Sequence, residues 1–217
     1  MMPTRRESMR RMAVMAIALV LLAAVVSARQ TASDHADWIF EAIGIAEGQT
    51  ICEIGAGNGA LSLAAARRVG ESGRVYTSEL GEERLAALRK AVSATGLSQI
   101  TVIDGQPAAT GFPDAACDGL FMRNVYHHFA DPERMNASIF ASMKPGARLA
   151  VVDFPPTGGE ASRPADRDEG AAHGVTPETL SRELRAAGFE LLRTERSDGR
   201  WFLVVVEKPR GSNGGGL

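Results

Sequence analysis

The sequence predicts one α/β domain with a parallel sheet and helices on both of its faces. Short apolar runs alternate with helical patterns between residues 50 and 154, which is typical of βαβ units. A glycine-rich turn, Gly55-Ala-Gly-Asn-Gly-Ala60, follows the first apolar run and precedes a helical pattern. The last two apolar runs are joined by Asp198-Gly199, a hairpin signal, so we expect the sheet to end in an antiparallel pair.

The elements are predicted in order from apolar periodicity and from turn residues. Strands are short apolar runs bounded by turns, and we expect them over residues 50–54, 75–78, 100–104, 118–122, 147–154, 189–195 and 201–207. Helices show an apolar side or a run of Ala and Leu, and we expect them over residues 34–46, 59–69, 82–95, 132–143 and 176–187. Thr176 suits the N-cap of the last helix and Pro177 its first position, and Lys144-Pro-Gly146 is interpreted as a turn.

The two ends of the chain differ from the domain, which we expect over residues 34–208. Arg5 to Arg11 is a positive segment, Met12 to Val26 is uncharged, and Val26-Ser27-Ala28 offers small residues for cleavage. Residues 1–28 are therefore predicted to be a signal peptide or membrane anchor, with residues 12–26 as the anchoring part. This predicts an exported or membrane-anchored protein, with the cytoplasm as the alternative location. Residues 209–217 are expected to be a flexible tail.

Composition and charge limit the kinds of molecule that this protein is expected to bind. The net charge of −2 creates no basic field for nucleic acid, and hydrophobic residues at 45% suffice for one sizeable core. Cys52 and Cys117 are expected to be offset along the sheet and too far apart to bridge, and hence to be small core residues. The oligomeric state is not determined by these features.

The glycine-rich turn predicts a nucleotide-type cofactor. Gly55, Gly57 and Gly59 can adopt positive φ and let a ligand approach the main chain, and the helix start that follows favours a negative group. The turn fits both the GxGxG loop of S-adenosylmethionine (SAM) enzymes and the GxGxx(G/A) fingerprint of dinucleotide enzymes. Other residues of the sequence are therefore needed to distinguish SAM from a dinucleotide as the cofactor.

Three carboxylates occur at or near strand ends, where ligands bind in such sheets. Glu79 closes the second strand and can accept hydrogen bonds from ribose hydroxyls, and Asp104 closes the third and can reach an adenine amino group. Glu53, inside the first strand, can hold the glycine turn through backbone N–H groups or bind a cationic amino group. Each of the three could instead be a structural acid.

An ordered set of segments resembles the class I SAM-dependent methyltransferases over about residues 36 to 208. The segments are Ile51 to Gly59, Val75 to Glu79, Val102 to Gly105, Asp114 to Pro132 with its His127-His128-Phe129 step, Met143 to Asp153 and Leu184 to Phe189. The resemblance implies a three-layer, Rossmann-like α/β fold with a seven-stranded sheet in the order 3-2-1-4-5-7-6 and an antiparallel last strand. The antiparallel ending favours this family over a dinucleotide dehydrogenase.

The resemblance also implies roles for individual residues. SAM is the implied cofactor, with Gly55, Gly57 and Gly59 around its methionine part and Glu79 on its ribose. Asp104 and Gly105 would face the adenine. Arg123 and Asn124 would face the sulfonium and the mouth of the substrate site.

The expected chemistry is transfer of the methyl group to a small-molecule acceptor, largely through positioning. If the acceptor must lose a proton, the candidate bases are His127 and His128, followed by Tyr126 and His173. Adjacent histidines without a third spaced ligand predict no metal site. Asp153 could line the acceptor pocket or cap the next turn.

Two other functions stay open at this point. One is a SAM-binding or accessory domain without turnover, which the leader favours because SAM is made in the cytosol. The other is an NAD(P)-dependent oxidoreductase. The irregular segment from Pro155 to Gly174 follows a central strand, so it is expected to be a lid or substrate loop, or else disordered.

Overall fold

The computed structural model describes residues 35–197 and 199–211. A boundary between two units of the chain falls after Trp38, and the sheet lies in the unit that begins at Ile39. The predicted leader, with its anchoring part at 12–26, lies outside the described residues, as does the tail beyond residue 211. Within the described ranges, no helix combines the length and apolar character needed to cross a bilayer.

A seven-stranded sheet forms the centre of the domain. Its strands are β1 (Thr50–Ile54), β2 (Arg74–Glu79), β3 (Ile100–Asp104), β4 (Cys117–Arg123), β5 (Met143–Asp153), β6 (Glu190–Arg196) and β7 (Phe202–Glu207). Their order is β3-β2-β1-β4-β5-β7-β6, and β7 runs antiparallel to both β5 and β6. The expected sheet order and antiparallel last strand are thus confirmed.

Helices cover both faces of the sheet. They are α1 (residues 35–43), α2 (Ala60–Val69), α3 (Glu82–Ser93), α4 (Pro132–Ser142) and α5 (Pro177–Ala186). One continuous core holds Leu120 and Met122 of β4 against Ile139 of α4 and Leu184 of α5. On the opposite face Phe40 of α1 contacts Phe121, because successive side chains of a strand point to opposite faces.

The start of β5 differs from the prediction. The expected turn Lys144-Pro-Gly146 belongs to this strand, which begins at Met143 and not at 147. Met143 pairs with Cys117 of β4, and the Gly146 N–H donates to the Lys208 carbonyl at 2.7 Å. Gly146 keeps the positive φ of +81° that suits a turn, and the register with β4 shifts here, so the long-range pairing takes the bend into the strand as an irregularity.

The expectation for the two cysteines is wrong. Cys52 of β1 and Cys117 of β4 are joined by a disulfide, with their Cα atoms 5.8 Å apart, and both are fully buried. The expectation assumed regular strand spacing, but the pairing of β4 with β5 is irregular between Cys117 and Gly119. The sulfur atoms thus lie within the core that the cysteines were expected to fill as free thiols.

Candidate cofactor and acceptor site

A cleft of about 710 Å³ opens at the carboxyl ends of β1, β2 and β4. This volume lies within the range of about 300–1,000 Å³ that is typical of cofactor and small-molecule sites. The wall of the cleft is formed by residues 53–58, 60–61, 78–80, 84, 105–107, 109–110, 123–125, 128–130, 135 and 168. Ligands of open α/β sheets bind at this edge.

The glycine turn presents bare backbone to the cleft. The N–H groups of Gly55 and Ala56 donate to the Ser78 carbonyl at 2.9 and 3.0 Å, which ties the turn to β2. Gly55 has φ +72°, and a Cβ there would lie 2.4 Å from the Val125 side chain. Gly57 has φ +54°, and a Cβ there would meet no protein atom within 4 Å, so this position is open to a ligand.

Glu79 holds the glycine turn and also reaches the cleft. Its carboxylate accepts from the Gly57 N–H at 2.7 Å and from the Leu80 N–H at 2.8 Å. The Arg84 Nε lies 3.4 Å from the same carboxylate. Since an ionised carboxylate has about four lone-pair sites, it keeps the capacity to accept from a ribose hydroxyl.

Glu53 lies below the turn and is almost fully buried. Its carboxyl group accepts a hydrogen bond from the Ser62 hydroxyl, whose oxygen lies 2.8 Å from that of Thr77. Burial raises the pKa of Glu53 to about 7, while Ser62 and the positive charge of Arg123 oppose the shift. The turn-holding role considered for Glu53 thus belongs to Glu79, and Glu53 remains suited to a cationic group.

The other predicted cofactor residues divide into two groups. Gly105, Arg123 and Asn124 line the cleft, and Asn124 has φ +60°, an uncommon conformation that is typical of functional sites. Gly59 is the N-cap of α2 but does not form part of the wall, and Asp104 is exposed outside it. The adenine role of Asp104 therefore stays a prediction without support from this geometry.

The candidate bases have different surroundings. His128 lines the cleft, and burial together with the neighbouring His127 lowers its pKa. His127 is buried behind the wall, with Nδ1 2.8 Å from an oxygen of the fully buried Asp153. Tyr126 donates its hydroxyl proton to Glu183 at 3.0 Å, and burial raises its pKa, so it is unsuited to accept a proton.

The segment from Pro155 to Gly174 is folded onto the domain. The Arg167 guanidinium forms an ion pair with Glu183 of α5, and Glu160 accepts from the Thr176 N–H at 3.0 Å. These contacts bring His173 to His127, with their Nε2 atoms 3.1 Å apart, and bring Asp168 to the wall of the cleft. Asp168 was missed as a site residue, although the segment from Pro155 to Gly174 that contains it was expected to be a lid or substrate loop, or else disordered.

Strand order and glycine turn together define the class I methyltransferase fold. The methyltransferase domain family matches residues 52–151, from within β1 to within β5. SAM is the methyl donor of that family. Over residues 52–151 the chain therefore matches the SAM-dependent methyltransferase family, and its sheet has the class I fold.

Known proteins resemble the chain over different extents. The ubiquinone/menaquinone biosynthesis C-methyltransferase UbiE of Escherichia coli is 28% identical over 112 residues, which are 51% of this chain and 45% of UbiE. The chain thus spans less than half the length of this curated relative. A SAM-dependent methyltransferase from Aquifex aeolicus has a TM-score of 0.68 at 24% identity, covering 80% of this chain and 89% of that one.

One further structure shows the range of reactions on this fold. The [4+2]-cyclase SpnF has a TM-score of 0.74 at 20% identity, over 84% of this chain and 83% of its own. The similarity to these two solved structures establishes a shared fold and no more than that. The reaction must therefore be argued from the site.

Proposed function

We propose that this protein transfers the methyl group of SAM to a small-molecule acceptor bound in the cleft. One observation carries the proposal: Glu79 accepts from the Gly57 N–H at the edge of a cleft that Gly57 leaves open. This arrangement supports binding of the ribose by the carboxylate and of the methionine part by the bare backbone. The family's use of SAM supports this assignment.

The far wall of the cleft suits a small acceptor. It combines the apolar side chains of Val125, Phe129 and Met135 with the polar groups of Arg123 and Asn124. Such a mixture is common in small-molecule sites, where apolar contacts supply area and a few polar groups fix orientation. Methyl transfer is an in-line displacement at carbon, so holding the acceptor atom in line with the methyl group supplies much of the catalysis.

The catalytic roles of His127 and His128 stay predictions. Of the two, His128 alone lines the cleft, and an acceptor there could approach its ring. The positioning described above requires neither histidine when the acceptor atom carries a free lone pair.

The first experiment is calorimetric titration of the purified full-length chain with SAM, and separately with NAD⁺ and NADP⁺. We expect saturable binding of SAM alone, because the strand order also differs from the 3-2-1-4-5-6 order of dinucleotide domains. Absence of SAM binding at millimolar concentration would refute the proposal. Saturation by a nicotinamide cofactor would favour the oxidoreductase instead.

Turnover requires a second experiment, since the [4+2]-cyclase shares the fold. The chain is incubated with methyl-labelled SAM and panels of small molecules bearing oxygen, nitrogen, sulfur or carbon nucleophiles. We expect label transfer and release of S-adenosylhomocysteine with at least one acceptor. Tight SAM binding without label transfer to any panel would favour the accessory, non-catalytic domain.

We also propose that the domain functions outside the cytoplasm, as an exported or anchored protein. The disulfide between Cys52 and Cys117 supports an oxidising compartment, because cytosolic thiols are kept reduced. Thiol alkylation of cell fractions tests this: we expect the intact bridge in the exported or membrane fraction. Recovery of the chain in the cytosol with two free thiols would favour the cytoplasmic location.

A further inference from the structure

Asp168, at the wall of the cleft, lies close to two histidines that are not part of that wall, His127 and His173. One ring nitrogen of each histidine and a carboxylate oxygen of Asp168 lie within 4.8 Å of one another. We propose that these three groups bind a divalent transition-metal ion. The two histidines come from different parts of the chain, the turn after β4 and the segment before α5, and the fold brings them together.

Asp153 prepares His127 for this role. Its carboxylate lies 2.8 Å from His127 Nδ1 and also accepts from the backbone N–H groups of His127 and Phe154 at 3.3 and 2.9 Å. A carboxylate at Nδ1 favours the proton there and leaves the Nε2 lone pair free to bind an ion. Buried carboxylate–histidine pairs of this kind orient the imidazole ligands of many metal sites.

The spacing of the ligand atoms is close to that of a metal site. The two Nε2 atoms are 3.1 Å apart, whereas nitrogens sharing a tetrahedral zinc ion at about 2.0–2.1 Å lie about 3.3–3.4 Å apart. An oxygen of Asp168 lies 4.0 Å from His173 Nε2, and the three ligand atoms lie within 4.8 Å of one another, so this oxygen must move inward by up to about 1.5 Å to complete the same geometry. Its side chain is 53% exposed, and the same oxygen pairs with His128 Nδ1, so binding of the ion would exchange that contact for the metal.

The ligand types indicate the class of ion. Imidazole nitrogens suit zinc and other late transition metals, whereas magnesium and calcium prefer ligands that are all oxygen. The two cysteines are joined to each other and cannot contribute thiolates. A zinc-like ion with two nitrogens and one carboxylate oxygen is therefore the best match.

The position of the ion has a consequence for the site. Because Asp168 lines the cleft, an ion bound to it lies at the wall and joins the segment from Pro155 to Gly174 to the turn after β4. Three protein ligands leave a tetrahedral ion one further position for water or an acceptor atom. Metal binding does not require SAM, so this inference stands or falls independently of methyl transfer.

Titration with Co²⁺ tests the site directly, since bound Co²⁺ has visible absorption bands that report its coordination. The full-length chain is prepared without a polyhistidine tag, stripped with a chelator and titrated with Co²⁺, and Zn²⁺ is then added as a competitor. We expect one equivalent of Co²⁺ to bind and Zn²⁺ to displace it, whereas excess Mg²⁺ leaves the spectrum unchanged. Zinc content by elemental mass spectrometry should approach one per chain.

Variants separate this site from adventitious binding. H173A and D168N should each weaken Co²⁺ binding at least about tenfold, on the scale of ligand and outer-shell changes in metal sites. D166N is the matched control, because Asp166 lies on the same segment and pairs with Arg163. D166N should bind Co²⁺ with the same affinity as the parent chain. Circular dichroism of each ion-free variant confirms folding, and since His173 and Asp168 are both about half exposed, we expect native spectra.

Two results would overturn the inference. One is the absence of stoichiometric Co²⁺ or Zn²⁺ binding by the folded parent chain at micromolar concentration. The other is undiminished affinity in both H173A and D168N. In either case the three groups form a hydrogen-bonded cluster, in which one Nε2–H donates to the other Nε2 across the 3.1 Å contact.

Discussion

Reducing the disulfide between Cys52 and Cys117 should lower the free energy of unfolding by about 4 kcal/mol. The bridge joins residues 65 apart in sequence. The chain-entropy relation for a closed loop of that length gives about 14.5 cal/mol/K, which is about 4.3 kcal/mol at 25 °C. For a domain of this size, such a loss corresponds to a fall in Tm of about 8–16 °C.

The assay compares the oxidised and reduced forms of the same chain, so that no side chain is deleted. Because the bridge is fully buried, the protein is unfolded in urea with a phosphine reductant and refolded with the reductant present. Urea unfolding is then followed by circular dichroism for both forms. The extrapolated free energies are compared, because reduction expands the unfolded state and should also raise the m-value.

Two outcomes would refute this reasoning. The first is superimposable unfolding curves, which would mean that the bridge does not constrain the unfolded chain. The second is a protein from an oxidising compartment that reacts with two equivalents of a thiol reagent when denatured without reductant. That result would show that the bridge does not form.

Three further predictions concern the cleft. E79A should weaken SAM binding by roughly 1.5–3 kcal/mol in calorimetry, as expected for a lost charge-assisted hydrogen bond, and unchanged affinity would remove Glu79 from the ribose role. Because its pKa is raised to about 7 in the folded state, Glu53 should cost stability as pH rises from about 4.5 to about 7. The free energy of unfolding should fall by about 3 kcal/mol over this pH range. Urea unfolding should show that E53Q lacks this decline, and an equal decline in E53Q would contradict the assignment. G55A should lower stability by about 1–3 kcal/mol, because its Cβ would lie 2.4 Å from Val125. G57A should also lose about 1 kcal/mol of stability to its positive φ, but its Cβ meets no protein atom, so it should lower SAM affinity more than G55A does; equal effects of the two variants on SAM affinity would be inconsistent with this geometry.

The sequence predicted most of the sheet because local signals bound its strands. Strands β1 and β3 agree with the predicted ranges, since each is an apolar run between turns. The strand order required the family resemblance, because periodicity does not identify neighbours. The start of β5 was missed because its extended form depends on pairing with Cys117, far away in sequence.

The site was predictable where the residues follow strands and less so elsewhere. Glu79 was recognised because strand ends meet at one edge of a parallel sheet, whereas Asn124 was predicted from the family resemblance. Asp168 lies in an irregular segment, and no periodic signal places it beside His128. The approach of His173 to His127 depends likewise on contacts such as Arg167 with Glu183, which join segments distant in sequence.

The position of β7 constrains when this domain can fold during synthesis. β7 lies between β5 and β6, although both are translated before it. Until residues 202–207 emerge from the ribosome, β5 and β6 each present an unpaired backbone edge where β7 will bind. The nascent chain therefore cannot complete its sheet early. A translocation pore that accepts only unfolded polypeptide would receive such a chain in a suitable state, and the sheet would close after passage.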